Sequence, residues 1–125
     1  MKTHIIVMGR PVAKERPRMA RNGTVFTPKK TQDYERLIVQ AYRDQSEAYF
    51  ESYGLHMQVD VFVRTKVRGD FDNYLKIASD ALNKIAYKDD KSITHGHVYI
   101  HQCQTDEEMR MEIQIWDGDE EDRSK

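Results

Sequence analysis

Three acidic residues and one lysine are grouped in the segment RGDFDNYLKIASDAL, residues 68–82. Asp70 and Asp72 are separated by one residue, and Lys76 and Asp80 follow at intervals of four. Two neighbouring carboxylates repel each other, and a divalent cation bound between them removes that cost. Mg²⁺ binds one or two carboxylates together with water and substrate phosphate. The segment therefore predicts a magnesium site that acts on a phosphate ester.

The same pattern also has a purely structural interpretation. On a helix, Asp72, Lys76 and Asp80 share one face, the helix dipole favours an acid in the first turn, and the lysine can pair with both acids. Each such pair stabilises a helix by only about 0.2–0.5 kcal/mol. A calcium loop of the EF-hand type is excluded, because Leu75 stands where glycine is needed and Ala81 where glutamate is needed. Both a metal site and ordinary helix-surface pairing stay open.

Asp89 and Asp90 follow the predicted helix and would enlarge the site if they return to its beginning. A helix over residues 72–86 would rise roughly 21 Å, at ~1.5 Å per residue. The four residues to Asp90 can recover at most ~14 Å. Either the helix is shorter or tilted beneath a returning loop, or Asp90 serves a site built partly by a second subunit.

The charge of the chain is unevenly distributed. Residues 1–36 carry nine Lys or Arg against three acids, a net charge of +6, whereas residues 106–125 carry a net charge of −6. A positive block predicts a polyanionic partner such as DNA, because cations that meet phosphates release condensed counterions. Met19 and Phe26 lie among the basic residues and are candidates for contacts to bases. The candidate phosphate ligands are Lys14, Arg16, Arg18, Arg21, Lys29 and Lys30.

Length and composition indicate one small domain. The chain has 125 residues, of which 38% are hydrophobic, enough for one modest core. A single cysteine, Cys103, excludes an internal disulfide and a thiolate zinc site, and predicts a reducing, cytoplasmic setting. The apolar run in MKTHIIVMGRP is too short for a signal peptide or a membrane span, so no membrane association is expected.

Hydrophobic periodicity predicts an α+β fold with the order β-α-β-α-β-β. We expect a single domain with a mainly antiparallel, mixed sheet and two helices packed on one face. The last two strands, joined by the acidic turn TDEE, are predicted to form a hairpin. Residues 12–30 predict a basic loop or small hairpin, residues 65–69 a turn, and residues 118–125 an acidic tail after a domain of residues 1–117. The predicted strands are Lys2–Met8, 55–64, 95–104 and 109–116, and the predicted helices are 31–50 and 72–86.

Several histidines alternate along one predicted strand. His95, His97 and His101 fall on one face together with Tyr99 and Cys103. We interpret this as a partly exposed sheet face or a contact between two copies of the chain. A transition-metal site is the lesser alternative, because His-x-His is a workable ligand spacing.

The strings GDFDNYLKIASDALN and AYKDD, with KERPRM and FTPKK upstream, resemble the RusA-type Holliday junction resolvase family of phages and prophages. The resemblance implies a homodimeric endonuclease, dependent on Mg²⁺ with Mn²⁺ as a substitute, that nicks opposing strands of four-way junction DNA in recombination and repair. It implies that Asp70 and Asp72 are catalytic acids and metal ligands, with Lys76 as the catalytic lysine. The third acid and metal ligand, the second of an adjacent Asp-Asp pair in the family, corresponds to Asp90. Asp89 competes for that role because the connection before the pair is one residue shorter here than in the founding member of the family.

Two other classes of function stay open from the sequence alone. The chain could be a non-catalytic module that binds branched DNA through residues 12–30, the basic segment. It could also be a metal-dependent phosphoesterase for small molecules, with the basic residues gathering phosphate. A two-fold protein is the simplest way to make two coordinated cuts at a two-fold junction, which favours a homodimer for the nuclease.

Overall fold

A computed structural model describes residues 1–66 and 70–118. Within them the chain forms one mixed sheet, a short separate hairpin and two helices, as the α+β prediction requires. The predicted turn at residues 65–69 and the predicted tail at residues 118–125 lie largely outside the described residues. The elements are β1 Lys2–Met8, β2 Arg18–Met19, β3 Val25–Phe26, α1 Lys29–Gln45, β4 Leu55–Val63, α2 Asp72–Ala81, β5 Ile93–Gln102 and β6 Arg110–Trp116.

The core lies between the two helices and one face of the sheet. Alternate residues of β4 are buried, from Leu55 to Val63, as expected for a strand with one face against a core. The helix α1 buries Tyr34 and Ile38 toward this core, and α2 buries Ile77. The two helices also contact each other. Packing of both helices against the central strands fixes the position of α2, which carries the predicted acids.

The sheet has the strand order β1-β6-β4-β5. The strand β6 is antiparallel to both β1 and β4, and β5 runs parallel to β4 at the edge. The predicted hairpin of the last two strands is therefore wrong, because β4 lies between them. The acidic connection between β5 and β6 crosses the end of β4 instead. There the Cys103 amide donates to the Val63 carbonyl oxygen (2.9 Å), and Arg64 forms an ion pair with Asp106 (3.0 Å).

The basic segment contains the predicted small hairpin. The strands β2 and β3 pair antiparallel, and the Ala20 amide donates to the Thr24 carbonyl oxygen (2.8 Å). Gly23 has a φ of +86°, the left-handed conformation that glycine adopts without steric cost. The Asn-Gly turn therefore joins the two short strands and lets them pair as a hairpin.

Both helices end earlier than their periodicity predicts. The helix α1 stops at Gln45 and not at residue 50, and Phe50 instead bridges to Tyr87. The helix α2 stops at Ala81 and not at residue 86, and Lys84 takes a φ of +67°, which a continuing helix does not allow. Tyr87, fully buried, donates its hydroxyl to the Ser79 carbonyl oxygen (2.6 Å). The chain therefore turns back along α2, which is shorter than predicted.

The described part of the chain contains no helix that is both long and apolar enough to cross a membrane.

Candidate functional site

The two predicted catalytic acids of the Asp-x-Asp pair lie at the entry to α2. Asp70 comes just before the helix, and Asp72 is its first residue. Both side chains are exposed, and neither has an ion-pair or hydrogen-bond partner among residues 1–66 and 70–118. The Asn73 amide donates to the Asp70 carbonyl oxygen (3.0 Å), so the backbone there forms a turn. Both carboxylates are available to a ligand in front of α2.

The pairing of Lys76 separates the two interpretations of the acidic pattern. Its Nζ lies 3.4 Å from Asp80 Oδ2, so the i,i+4 pair toward the end of the helix forms. The corresponding pair with Asp72 is not among the ion pairs of the described residues. Helix-surface pairing therefore accounts for Asp80 and not for Asp70 or Asp72, while Asp72 keeps the first-turn position that the helix dipole favours.

The carboxylate of Asp80 joins α2 to the basic segment. Its Oδ2 atom lies 3.4 Å from Lys76 Nζ and 3.3 Å from Lys14 Nζ. Lys14 also donates to Glu35 Oε2 of α1 at 3.0 Å. Burial lowers the pKa of Lys14, but the hydrogen bonds and charges of Glu35 and Asp80 outweigh it, and the pKa is raised above 10.5. The side chain of Lys14, only 17% exposed, thus holds the basic segment against both helices.

The returning chain brings Asp90 close to the same cluster. The hydrogen bond shared with Asp89 raises the pKa of the Asp90 carboxyl, helped by burial and by the charges of Asp89 and Asp80, while Lys76 lowers it. Asp89 has a different task, since its Oδ1 accepts the Lys91 amide (2.9 Å) and caps the 3₁₀ turn Asp90–Ser92. That bond lowers the pKa of Asp89. Asp90 is therefore the acid that α2 and its lysine influence electrostatically.

The raised pKa of Asp90 leads to a titration experiment. A raised value means that the folded protein binds this proton more tightly than the unfolded chain, so Asp90 stabilises the fold below about pH 3.8 and less as the pH rises through the folded value. We expect carboxyl NMR to give an Asp90 midpoint above 3.8 without metal, which falls when Mg²⁺ is added. The Asp89→Asn variant should also lower it. A midpoint that Mg²⁺ leaves unchanged would argue against a cation at Asp90.

The carboxylates fit magnesium in their chemistry, although they do not form a closed cluster. Among residues 1–66 and 70–118, no three His, Cys, Asp or Glu side chains are grouped so that they could hold a metal ion. Asp70 and Asp72 nevertheless present carboxylates that are unpaired among the described residues. The hydrogen bond with Asp89, burial and the charges of Asp89 and Asp80 raise the pKa of Asp90, and a bound cation would favour its charged form. An ion held by one or two carboxylates and completed by water and substrate phosphate needs no third protein ligand in advance.

The predicted phosphate ligands differ in how free their charges are. Arg16, Arg21 and Lys30 are exposed and have no ion-pair partner within the described residues. Arg18 and Lys29 pair with acids on the surface, at 3.3 Å from Glu15 and 2.9 Å from Asp33. The hairpin β2–β3 also exposes Met19 and Phe26, by 73% and 44%. This side of the molecule presents cations together with apolar side chains.

Two contacts around the site were not predictable from the sequence, those of Lys14 with Asp80 and with Glu35. Asp80 was predicted only as a helix-surface residue, yet it contacts two lysines from different elements. The i,i+4 spacing had predicted the contact with Lys76, and nothing in the sequence indicated the contact with Lys14. Glu35 gave no signal, because its contact to Lys14 is a tertiary one between α1 and the basic segment.

The histidine strand forms a stack of rings on the sheet face that carries the half-buried residues of β4. The ring of His56 lies 4.1 Å from that of His95 and 5.2 Å from that of Trp116, centroid to centroid. His97 also stacks on Trp116, at 5.9 Å. His101 Nε2 lies 2.8 Å from Asp60 Oδ1. These histidines belong to no group of three His, Cys, Asp or Glu side chains within residues 1–66 and 70–118 that could hold a metal ion, so the transition-metal alternative has no support here.

The sequence was compared with known families and proteins. The family described as endodeoxyribonuclease RusA has a sequence model that matches residues 8–116 of this chain. The match runs from the end of β1 to the end of β6, and it contains every predicted site residue. A search of curated proteins finds no match.

Proposed function

Because this chain belongs to the RusA endodeoxyribonuclease family, we propose that it is a Mg²⁺-dependent nuclease that resolves Holliday junctions by paired nicking in recombination and repair. The observation that carries the proposal is the pair of exposed carboxylates of Asp70 and Asp72, unpaired among the described residues, with Asp72 one helical turn before Lys76. A carboxylate pair beside a lysine supplies the charges that phosphodiester hydrolysis requires.

Asp70, Asp72 and Asp90 are the residues that would hold the metal, and Mn²⁺ would substitute for Mg²⁺. When bound, such an ion supplies a hydroxide for in-line attack and neutralises charge on the phosphate. Asp90 is preferred to Asp89 as the third ligand, because Asp89 already accepts the Lys91 amide at 2.9 Å. The lowered pKa of Asp89 agrees with that use of its carboxylate.

Lys76 acts on the charge that develops at the phosphate. The Lys76 side chain is 59% exposed and its Nζ contacts Asp80 at 3.4 Å, so it can reach toward a substrate while staying oriented. A positioned cation lowers the barrier because it is aimed where negative charge increases in the transition state. Lys76 need not take up a proton in this role.

DNA would bind along the side that carries the basic segment. The exposed cations Arg16, Arg21 and Lys30 would contact phosphates, with Arg18 and Lys29 able to exchange their surface partners for phosphate. Phosphate contacts position a substrate without reading its sequence. Met19 and Phe26 of the hairpin would pack against bases at the branch point.

We further propose that the active form is a homodimer in the cytoplasm. A four-way junction has two-fold symmetry, and two copies of this small chain would place one site on each of the opposing strands. The free, buried thiol of Cys103 is compatible with a reducing compartment.

The proposal is tested by offering the protein a four-way junction, a linear duplex of the same sequence and a generic phosphodiester, with and without Mg²⁺. We expect paired nicks in the junction only, and only with the metal. Binding of the junction without nicking would replace the proposal with a non-catalytic DNA-binding module. Hydrolysis that is indifferent to the junction would replace it with a phosphoesterase.

A further inference from the structure

A groove of about 310 Å³ opens beside the beginning of α2. Its walls include Arg10, Lys14 and Glu15 from the segment after β1, Lys30 from the first turn of α1, and Tyr74 from α2. The Lys14 amide donates to the Asn73 carbonyl oxygen (3.0 Å), which fixes this segment to the first turn of α2. The groove is therefore part of the same rigid surface as Asp72, two residues before Tyr74.

Two of the charges in this groove are free. Lys14 is neutralised by Glu35 and Asp80, and Glu15 lies 3.3 Å from Arg18. Arg10 and Lys30 are exposed, and within residues 1–66 and 70–118 neither has an ion-pair partner. The groove thus combines a concave wall with two uncompensated cations, which is the charge pattern that favours an anion.

Hydroxyl groups lie near these cations. Tyr74 is 4% exposed, and burial raises the pKa of its phenol. The charge of Arg10 lowers that pKa, so the guanidinium lies near enough to interact electrostatically with the Tyr74 hydroxyl. Arg10 and Lys30 also line an adjoining groove with Tyr34, whose buried hydroxyl has no hydrogen-bond partner among the described residues. A phosphate oxygen can accept hydrogen bonds from both kinds of donor, guanidinium and phenol.

We infer that Arg10 and Lys30, with the hydroxyl of Tyr74, form a binding site for one non-scissile phosphate of the DNA strand that is cut. The inference rests on the proposed function and adds to it a residue, Arg10, outside the predicted DNA-binding set. Arginine suits this site because its planar guanidinium can give a phosphate two parallel hydrogen bonds. A phosphate held beside α2 would fix the register of the strand relative to Asp70 and Asp72.

The test measures DNA binding without metal, so that no strand is cut. The dissociation constants of the junction and of the linear duplex are measured over a range of salt concentrations for the parent, Arg10→Gln, Arg10→Lys and Lys30→Gln. Arg43→Gln is the matched control, because Arg43 is exposed on α1 and does not line the groove. Thermal melting checks that each variant is folded.

We expect Arg10→Gln and Lys30→Gln each to weaken junction binding about tenfold and to reduce the slope of log K against log salt, by ~0.9 if the contact is to duplex DNA. Arg10→Lys should keep the slope and lose part of the affinity, and Arg43→Gln should change neither. Next, methylphosphonates replace single phosphates around the cut site. One replacement should weaken parent binding by the same factor and weaken Arg10→Gln no further.

Equal salt slopes for Arg10→Gln and Arg43→Gln would overturn the inference, as would a methylphosphonate effect that adds fully to that of Arg10→Gln. Failure of the proposed function is a separate result. A parent that binds DNA but never nicks it would refute the nuclease, while the salt slopes would still decide the phosphate site. A parent that binds no DNA would overturn both.

Discussion

Replacing Asp72 with asparagine is expected to stop junction nicking while leaving junction binding intact. Asparagine has the same shape but no charge, so it holds a divalent cation poorly. We expect the nicking rate in Mg²⁺ to fall by about 10³-fold or more, at ~1.4 kcal/mol for each factor of ten. Binding should be retained or tightened, since a negative charge near the phosphate is lost. Gel assays of nicking and binding on one labelled junction measure both.

The fold should tolerate this change, because the Asp72 side chain is exposed and has no partner among the described residues. Asp70→Asn should behave in the same way. The matched control is Asp44→Asn, an exposed acid on α1, which should leave both assays unchanged. Full-speed nicking by Asp72→Asn would remove the basis of the proposed metal site.

Replacing Lys76 with methionine is expected to have the second-largest effect. Methionine keeps the aliphatic length and removes the ammonium group, so a cation aimed at the transition state is lost. We expect nicking to slow by about 10²–10³-fold, the usual cost of losing one such group, with a small change in binding. Lys76→Arg should recover part of the rate because it restores the charge. Single-turnover kinetics at saturating protein separate the chemical step from binding.

Lys66→Met is the control for removing an exposed lysine that has no ion-pair partner among the described residues. Asp80→Asn gives an additional comparison, because it removes the carboxylate that contacts Lys76 and Lys14. That variant should slow nicking less than Lys76→Met does. Lys76→Met nicking at the rate of Lys66→Met would show that the lysine is only a helix-surface residue.

The strands and turns were predictable where a single local sequence pattern determines the structure. The alternation of Leu55 to Val63 predicted β4, and the Asn-Gly turn predicted the small hairpin. The strand order was not predictable from the last two strands, because a short acidic connection looks the same whether it closes a hairpin or crosses the end of a third strand. The pairing of β4 with both β5 and β6, and the contacts of Arg64 and Cys103 at its end, distinguish the two cases.

The candidate site was predictable as a set of residue types and less so as geometry. The Asp-x-Asp spacing identified the carboxylates at the entry to α2 that have no partner within the described residues. The helix length could not be read from apolar spacing, since Leu82 and Ile85 continue the apolar pattern past the helix end and pack into the core from the returning chain. Lys14 was predicted as a phosphate ligand from its charge and its place in the basic segment. Its ammonium group is paired with Glu35 and Asp80, which reach it only in the folded chain.

The central claim, that Asp70 and Asp72 bind the metal that acts on DNA, is tested most directly by amide NMR of the protein with Mn²⁺ as a paramagnetic substitute for Mg²⁺. We predict that substoichiometric Mn²⁺ broadens the signals of Asp70, Asp72 and Asp90 first, and that Asp72→Asn weakens this broadening. The exposed acidic turn Asp106–Glu108 serves as the internal control for nonspecific binding. Broadening that begins at that turn, or that Asp72→Asn leaves unchanged, would contradict the account.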